Sequence, residues 1–521
     1  MSKIIDLHAL SAAVPPGATI AIGGFQLNRV PVALLKSIVA RGLTGLECVS
    51  APNPLALQIL AAAGCIRAAE CGFVGFQYED GFVIAPAVRR ALATGELRLR
   101  QPDVYDTIES LRAAAGNGEP RADFALLHAQ RADRHGNLQI DDPYIDVELA
   151  HASGAVLATT EVIVDEIEAP TIVAAKVQGI AVVKNGAAPT SCFGYYPRDA
   201  AGVRDHVGVT VPEPNGPAVG DTGTPVVAGS GSVTAVEATA VAAREAGTPG
   251  AREAIADGRE EFRAADELLV CMARQVNDGE VIVTGLASAV PMLAIELARR
   301  THAPRLTYIN CIGAVNPRID AVLPTSVEAD LRRHCDRIIE LPDLFDLARD
   351  GGVDAMFFGA GQVDARGNIN LSHIGPASNP KVRFAGPAGS PSMRSYVRRV
   401  LITVPRQLPR NLVARVDAVT SAAAERNEET VLVTDAAIWH LGLSGFEPAS
   451  LHEGVTPDDL SGRTGFEFVH GSPSVTAPPS ETELAALHSI DAAGLRYRLL
   501  AAKTSSVRHR PASAQPAAPC L

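Results

Sequence analysis

The chain has 521 residues, long enough for two domains of about 200–250 residues rather than one core. Hydrophobic residues at 47% against 20% charged suit globular packing and exclude an intrinsically disordered chain. A net charge of −12 excludes a nucleic-acid partner, which needs a basic face, and leaves room for a small anionic ligand held by local donors.

In chain order, Ala18–Ile22 reads as a short apolar strand ending at Gly23-Gly24-Phe25, and Val30 to Leu35 as the start of a helix with Pro31 in its first turn. Strand Leu46–Ser50, helix Leu55–Ala63, strand Phe124–Leu127, helix Asp146–His151 and strand Ala155–Thr159 follow. Strands alternating with helices imply a largely parallel sheet covered on both faces. Such sheets take ligands at the carboxyl ends of their strands, where this chain places its glycines. From 204 to 262, prolines alternate with Gly, Ala, Thr and Ser without an apolar period, which describes a linker with a short helix near Glu237 to Glu245. Gly279–Gly285 then repeats the opening Gly17–Gly23 strand, and further strands are expected at Leu306–Ile309, Ala355–Phe358 and Val400–Val404. The Ser- and Pro-containing tail after Thr504 is expected to be disordered.

Two stretches share one template. Asp123-Phe124-Ala125 leads through an apolar run to Asp133-Arg134-His135-Gly136-Asn137, and 231 residues later Asp354-Ala355-Met356 leads to Asp364-Ala365-Arg366-Gly367-Asn368. A constant offset marks a duplicated unit. The expected fold is therefore α/β, with two tandem domains, each a mostly parallel sheet flanked by helices. Their expected bounds are 1–203 and 263–503, with the linker at 204–262 and the tail at 504–521.

The eight cysteines form no CxxC pair and no zinc-module spacing, so no metal is expected. Met1 to Asp6 has no apolar signal core, and no apolar run reaches bilayer-spanning length. The expectation is a cytoplasmic protein with reduced thiols and no membrane partner. Gly23-Gly24-Phe25 stands where backbone N–H groups can face an anion, a weak signal by itself because Gly-Gly after a strand is usually only a tight turn. Gly359-Ala360-Gly361-Gln362 resembles a dinucleotide loop but has Asp364 where the third glycine belongs, which argues against a dinucleotide cofactor. The two Asp-x-x-Gly-Asn segments suit hairpins or turns with a left-handed residue. His128, His135, His302 and His373 are scattered, as surface or satisfied core histidines would be. Cys311 ends an apolar strand just before Gly313, and the residues alone favour a small buried hydrophobe there.

Taken together, these residues resemble the class I CoA-transferase family with both subunits fused in one chain. The first half is similar to the alpha subunit of glutaconate CoA-transferase through Gly23-Gly24-Phe25, Ala122 to Gln130, Gly136-Asn137 and Gly186 to Gly194. The second is similar to the beta subunit through His302-Ala303-Pro304, Gly359 to Asn370, Pro380 to Phe384 and Gly386 to Gly389. Family transferases carry a glutamate on the strand after Ala-Pro, and its carboxylate attacks the thioester and then carries CoA. Counting without a gap from Ala303-Pro304 puts Cys311 at that position, and the family's G-x-G-x-P segment is altered to Ala287-Ser288-Ala289-Val290-Pro291. The family's long pocket insertion is missing too, since Leu111 to Ala115 runs almost directly into Asp123.

The cysteine-bearing pattern is similar to the 3-methylglutaconyl-CoA decarboxylase subgroup through Gly24 to Arg29, Pro52 to Leu55, Thr284 to Ser288, Leu341 to Asp346, Val404 to Gln407 and Arg463 to Phe466. That resemblance implies cofactor-free decarboxylation of a glutaconyl-type CoA thioester, needing nothing beyond the CoA moiety of the substrate. It implies Cys311, Asn53 and the Gly361 N–H as the catalytic groups. Gly24, Phe25, Gln26, Ser288, Ala289, Gly359, Ala360, Gln362, Gly386 and Gly389 would then frame the acyl-CoA. It also implies homo-oligomers. Two alternatives stay open: an acyl-CoA transferase or hydrolase working through S-acyl Cys311, and a non-catalytic acyl-CoA-binding protein.

Overall fold

The computed structural model describes residues 3–78, 81–207, 263–319, 323 and 325–504. In the first half the apolar segment Thr19–Ile22 forms a central strand. It pairs in parallel with Leu46–Ser50 on one side and with the long strand Ala122–Asp133 on the other. Ile66–Cys71 and Arg98–Arg100 extend the sheet beyond Leu46–Ser50, and Ser153–Val164 and Val177–Val182 extend it beyond Ala122–Asp133, all in parallel. In the second half Val281–Thr284 takes the same place, between Thr307–Ile309 and Ala355–Gly359. Arg399–Val404 and Glu429–Thr434 continue the parallel run, and the antiparallel strands Ala437–Gly442 and Gly445–Leu451 follow. The strands at the centre of both sheets are buried runs of Val, Ile, Leu and Ala, as parallel strands covered on both faces require.

Most expected strands and helices are found with small shifts at their ends, but the strands expected at Phe124–Leu127 and Ala155–Thr159 run much longer, as Ala122–Asp133 and Ser153–Val164. The Asp-x-x-Gly-Asn segments close two hairpins: Ala122–Asp133 pairs antiparallel with Leu138–Gln139, and Gln362–Asp364 with Ile369–Asn370. In each, the aspartate carboxylate collects backbone N–H groups of the turn, from His135, Gly136 and Asn137 at Asp133 and from Arg366 and Asn368 at Asp364. Pro31 corrects one detail. It is the residue before helix Val32–Ala40 rather than part of its first turn. The boundary expected at 203 falls inside helix Ala200–Val207. Residues 208–262, including the helix expected near Glu237 to Glu245, and the tail after 504 lie outside the described residues. Among the described residues, no helix is long and apolar enough to cross a membrane.

The two halves share a core. One buried cluster includes Phe25, Tyr144 and Ile145 together with Ile309, Cys311, Ile312 and Phe345. Polar contacts hold the seam. Tyr105 stacks on Phe345 at 5.2 Å, and its hydroxyl donates to Asp346 at 2.7 Å. Arg112 also reaches Asp346 at 3.0 Å, and the Ser392 N–H donates to Asp103 at 2.9 Å. Phe25, just past the carboxyl end of Thr19–Ile22, and Cys311, just past that of Thr307–Ile309, both belong to this shared cluster.

Candidate active site

The first half contributes a turn at the end of its central strand. Gly24 has φ +81°, and a Cβ there would lie 2.7 Å from the Arg29 carbonyl oxygen, so only glycine fits. Its N–H donates to Asp146 at 3.0 Å, and the Asn53 amide donates to the Gly23 carbonyl at 2.9 Å. Phe25 and Asn28 exchange backbone hydrogen bonds across the turn. Gln26 and Arg29 sit at φ 56° and 50°, a conformation costing about 1–3 kcal/mol each that persists only where the surroundings impose it.

Arg29 supplies that imposition. Its guanidinium is fully buried and reaches Asp142 at 2.7 Å, Asp146 at 2.5 Å and the His128 carbonyl at 2.6 Å. Burial opposes its charge, but the Asp146 and Asp142 carboxylates win and hold it more firmly protonated than usual. Burial pushes the Asp146 carboxyl above the usual carboxylate range, opposed by Arg29. The ion pairs therefore fix a strained turn at the junction.

The second half contributes Cys311. Its turn is shaped by Asn310, whose side-chain oxygen accepts from the Ala314 N–H at 2.9 Å, while the Gly313 N–H donates to the Asn310 carbonyl at 2.9 Å. Gly313 has φ +78°, with the Ile339 carbonyl oxygen 1.7 Å from where a Cβ would stand. Cys311 is buried, and its sulfur lies 4.0 Å from the Ser326 carbonyl. Burial pushes the thiol up to about 12, so it is S–H at neutral pH. Among the described residues, no carboxylate or imidazole hydrogen-bonds to it. Ser326 also joins the start of helix Ala289–Arg300: its hydroxyl accepts from the Ser288 N–H at 3.2 Å and donates to the Gly285 carbonyl at 3.2 Å.

The two contributions meet through a single loop. The Asn28 amide donates across the junction to the Val327 carbonyl at 2.9 Å, one residue beyond the Ser326 that covers Cys311. Ser191 fixes the other end of the Asn28 amide at 2.6 Å. Nearby, Arg198 pairs with Glu328 at 2.6 Å, and Arg332 lies over the Tyr144 ring, which stacks on Phe25. The structure thus brings Gly24, Phe25, Gln26 and Asn53 to one side of this loop, and Cys311, Ser288 and Ala289 to the other.

The remaining residues expected at the site have other anchors. Gly361 needs a correction as an oxyanion donor, because its N–H already donates to the Asn370 carbonyl at 3.1 Å. Its lack of a side chain makes room for the Phe384 ring. Gln362 is tied to Asp417 at 2.8 Å and to Asn370 at 2.7 Å, while Gly359 is exposed and Ala360 half-buried on the same loop. Gly386 packs on Gln101 and the Gly72 carbonyl, and Gly389 on the Phe345 ring, both at the seam. Asn53 spends one N–H on Gly23, and its oxygen accepts from the Ala56 N–H at 3.3 Å, capping helix Pro54–Ala62. Sequence reasoning missed Arg29, Asp142, Asp146, Ser326 and Arg332 as parts of the site. Arg29 lies in the Gly24–Arg29 stretch, but its carboxylate partners stand 113 and 117 positions away, and no quoted motif contains Asp142, Asp146, Ser326 or Arg332.

One further cluster could suit a metal by donor type. Ligand atoms of His128, Glu161 and Cys192 lie within 4.8 Å of one another. Protein partners already satisfy its imidazole and carboxylate: His128 bonds Thr159 at 2.8 Å and Glu161 at 2.9 Å, and Glu161 also accepts from Tyr196 and the Asn185 and Gly186 N–H groups. His128 is a satisfied core histidine.

Residues 7–119 match the family model described as Coenzyme A transferase. The chain is 31% identical over 242 residues to one of the subunits of 3-oxoadipate CoA-transferase from Pseudomonas knackmussii, covering 43% of this chain and 92% of that subunit. With a chain of the solved decarboxylase AibA/AibB it shares 40% identity, covering 45% of this chain and 98% of the other at a TM-score of 0.43. The solved acyl-CoA transferase YdiF from E. coli O157:H7, a thioester complex with CoA, covers 92% of this chain at 13% identity and a TM-score of 0.63, a likeness of fold across both halves.

Proposed function

The chain belongs to the coenzyme A transferase family, and from that premise we propose that it decarboxylates a glutaconyl-type CoA thioester without a cofactor. The observation carrying this reading is the state of Cys311. The family's exchange chemistry needs a carboxylate nucleophile where this chain has a thiol. Burial holds that thiol protonated, and among the described residues no base hydrogen-bonds to it, so it is a poor nucleophile as well.

Decarboxylation asks for neither. The bond from the carboxylate carbon to the acyl chain breaks, CO2 leaves, and its electron pair moves through the double bond onto the thioester oxygen. A proton then returns to carbon. Burial at the junction keeps water away from the dienolate until the proton returns to carbon. The start of helix Ala289–Arg300, beside Ser326, presents the positive end of a helix dipole to developing negative charge. A donor aimed at such an oxygen supplies about 3–4 kcal/mol. Asn53 keeps one amide N–H for that role, and Cys311 holds a proton within the same junction. Gly24, Phe25 and Gln26 would face the thioester from the opposite side.

The alternative, acyl transfer or hydrolysis through S-acyl Cys311, is served less well because among the described residues no carboxylate or imidazole hydrogen-bonds to the thiol. Intact-mass analysis during turnover of 3-methylglutaconyl-CoA tests the choice. The expected result is unmodified protein with decarboxylated thioester accumulating; a stoichiometric acyl adduct on Cys311 contradicts the proposal.

A further inference from the structure

Arg332 ends the short helical turn Ala329–Arg332, and its side chain is buried at the junction. One guanidinium nitrogen donates to the carbonyl of Ile312, the residue after Cys311, at 3.1 Å. A second reaches Glu340 at 2.6 Å on the outer side, where Glu340 is about a third exposed. The third, Nε, is buried and donates to nothing among the described residues. The guanidinium carbon stands 5.2 Å from the centre of the Tyr144 ring, and the Tyr144 hydroxyl is likewise buried without a partner. That ring stacks on Phe25 at 5.1 Å, which ties both unused donors to the Gly24–Phe25 turn as well as to the Cys311 turn.

A buried donor left unpaired costs about 1–3 kcal/mol, and native proteins rarely leave one so. A cationic N–H and a phenol O–H on neighbouring side chains both suit an oxyanion, since charge-assisted bonds to carboxylate are about twice as strong as neutral ones. The neighbouring Asp142 does not consume them, because its hydrogen-bonded oxygen is taken by Arg29 and Gln130 and its other oxygen has no partner among the described residues. We propose that Arg332 and Tyr144 bind a carboxylate at the far end of the acyl chain and thereby select dicarboxylic over monocarboxylic acyl-CoA. This assignment rests on the acyl-CoA reading above and adds its specificity determinant.

Glutaryl-CoA and butyryl-CoA test it, since both are saturated and cannot lose CO2 by the vinylogous route. Calorimetric titration of the full chain is expected to show glutaryl-CoA binding about tenfold tighter or more. Arg332→Met should bring the two affinities to within about twofold of each other. Because Arg332 also holds Ile312 and Glu340, Tyr144→Phe is the safer variant: it removes an oxygen that bonds nothing among the described residues and keeps the ring stack. It should weaken glutaryl-CoA by about threefold or more while moving butyryl-CoA less than about twofold. Equal affinities in the wild type, or a preference that Tyr144→Phe leaves intact, overturn the assignment alone; the latter would mean that the donors serve a buried water shared with Asp142. Failure of both thioesters to bind overturns the acyl-CoA reading together with it.

Discussion

Replacing Arg29 with methionine tests how the candidate site is held. The substitution keeps most of the volume but leaves the Asp142 and Asp146 side chains, both fully buried, facing each other without the guanidinium. Removing one partner of a buried ion pair costs about 3–5 kcal/mol. For a unit the size of the first half, about 2–4 °C of Tm per kcal/mol gives a drop of about 6–20 °C. The deficit should depend on pH with a definite sign. Burial already raises the Asp146 carboxyl in the folded state, and losing Arg29 removes what opposes that rise. A carboxyl raised in the folded state takes up protons there more readily than in the unfolded chain, so its contribution is favourable at low pH and lost as pH rises. Scanning fluorimetry of Arg29→Met should therefore show a deficit that shrinks as pH falls from about 8 to about 5.5, over a range where the wild type still folds. A drop below about 2 °C, or one independent of pH, would refute the view that these ion pairs hold the Gly24–Arg29 turn.

Three further outcomes follow from the same geometry. Gly313→Ala should abolish soluble folded protein or cut Tm sharply, because it places a Cβ on the Ile339 carbonyl at positive φ; a normal melting curve would show that the Cys311 turn adapts to a side chain there. Cys311→Ala should lower kcat for decarboxylation by about a hundredfold or more while leaving the Kd of a saturated thioester analogue nearly unchanged, and full activity would end the proton-donor role. Iodoacetamide at about pH 8 should leave Cys311 unmodified in the native protein and label it only after denaturation, because burial holds the thiol protonated; rapid native labelling, seen by peptide mapping, would point to an accessible thiolate.

Much of the fold was legible because its causes are local. The apolar segments Thr19–Ile22 and Val281–Thr284 announce buried parallel strands by composition. The two Asp-x-x-Gly-Asn turns are specified within five residues by one carboxylate and one glycine. Cys311 was legible only by counting from Ala303-Pro304, since its own neighbours describe a buried hydrophobe, which it also is. The rest of the site was hidden because it is made by distant pairs. Arg29 finds Asp146 across 117 positions, and Asn28 finds Val327 across 299. Gly361 misled for a related reason: a glycine after a strand suggests a free N–H, but its partner Asn370 belongs to the next strand of the hairpin.

The most direct measurement incubates the purified chain with 3-methylglutaconyl-CoA and with glutaconyl-CoA and follows the mass of the thioester. The account predicts loss of the mass of CO2 with CoA still attached. Free CoA, or CoA exchanged onto added acetate, would contradict it and assign the junction to hydrolysis or transfer. Unchanged thioester that nevertheless binds would mark a site that holds acyl-CoA without turning it over.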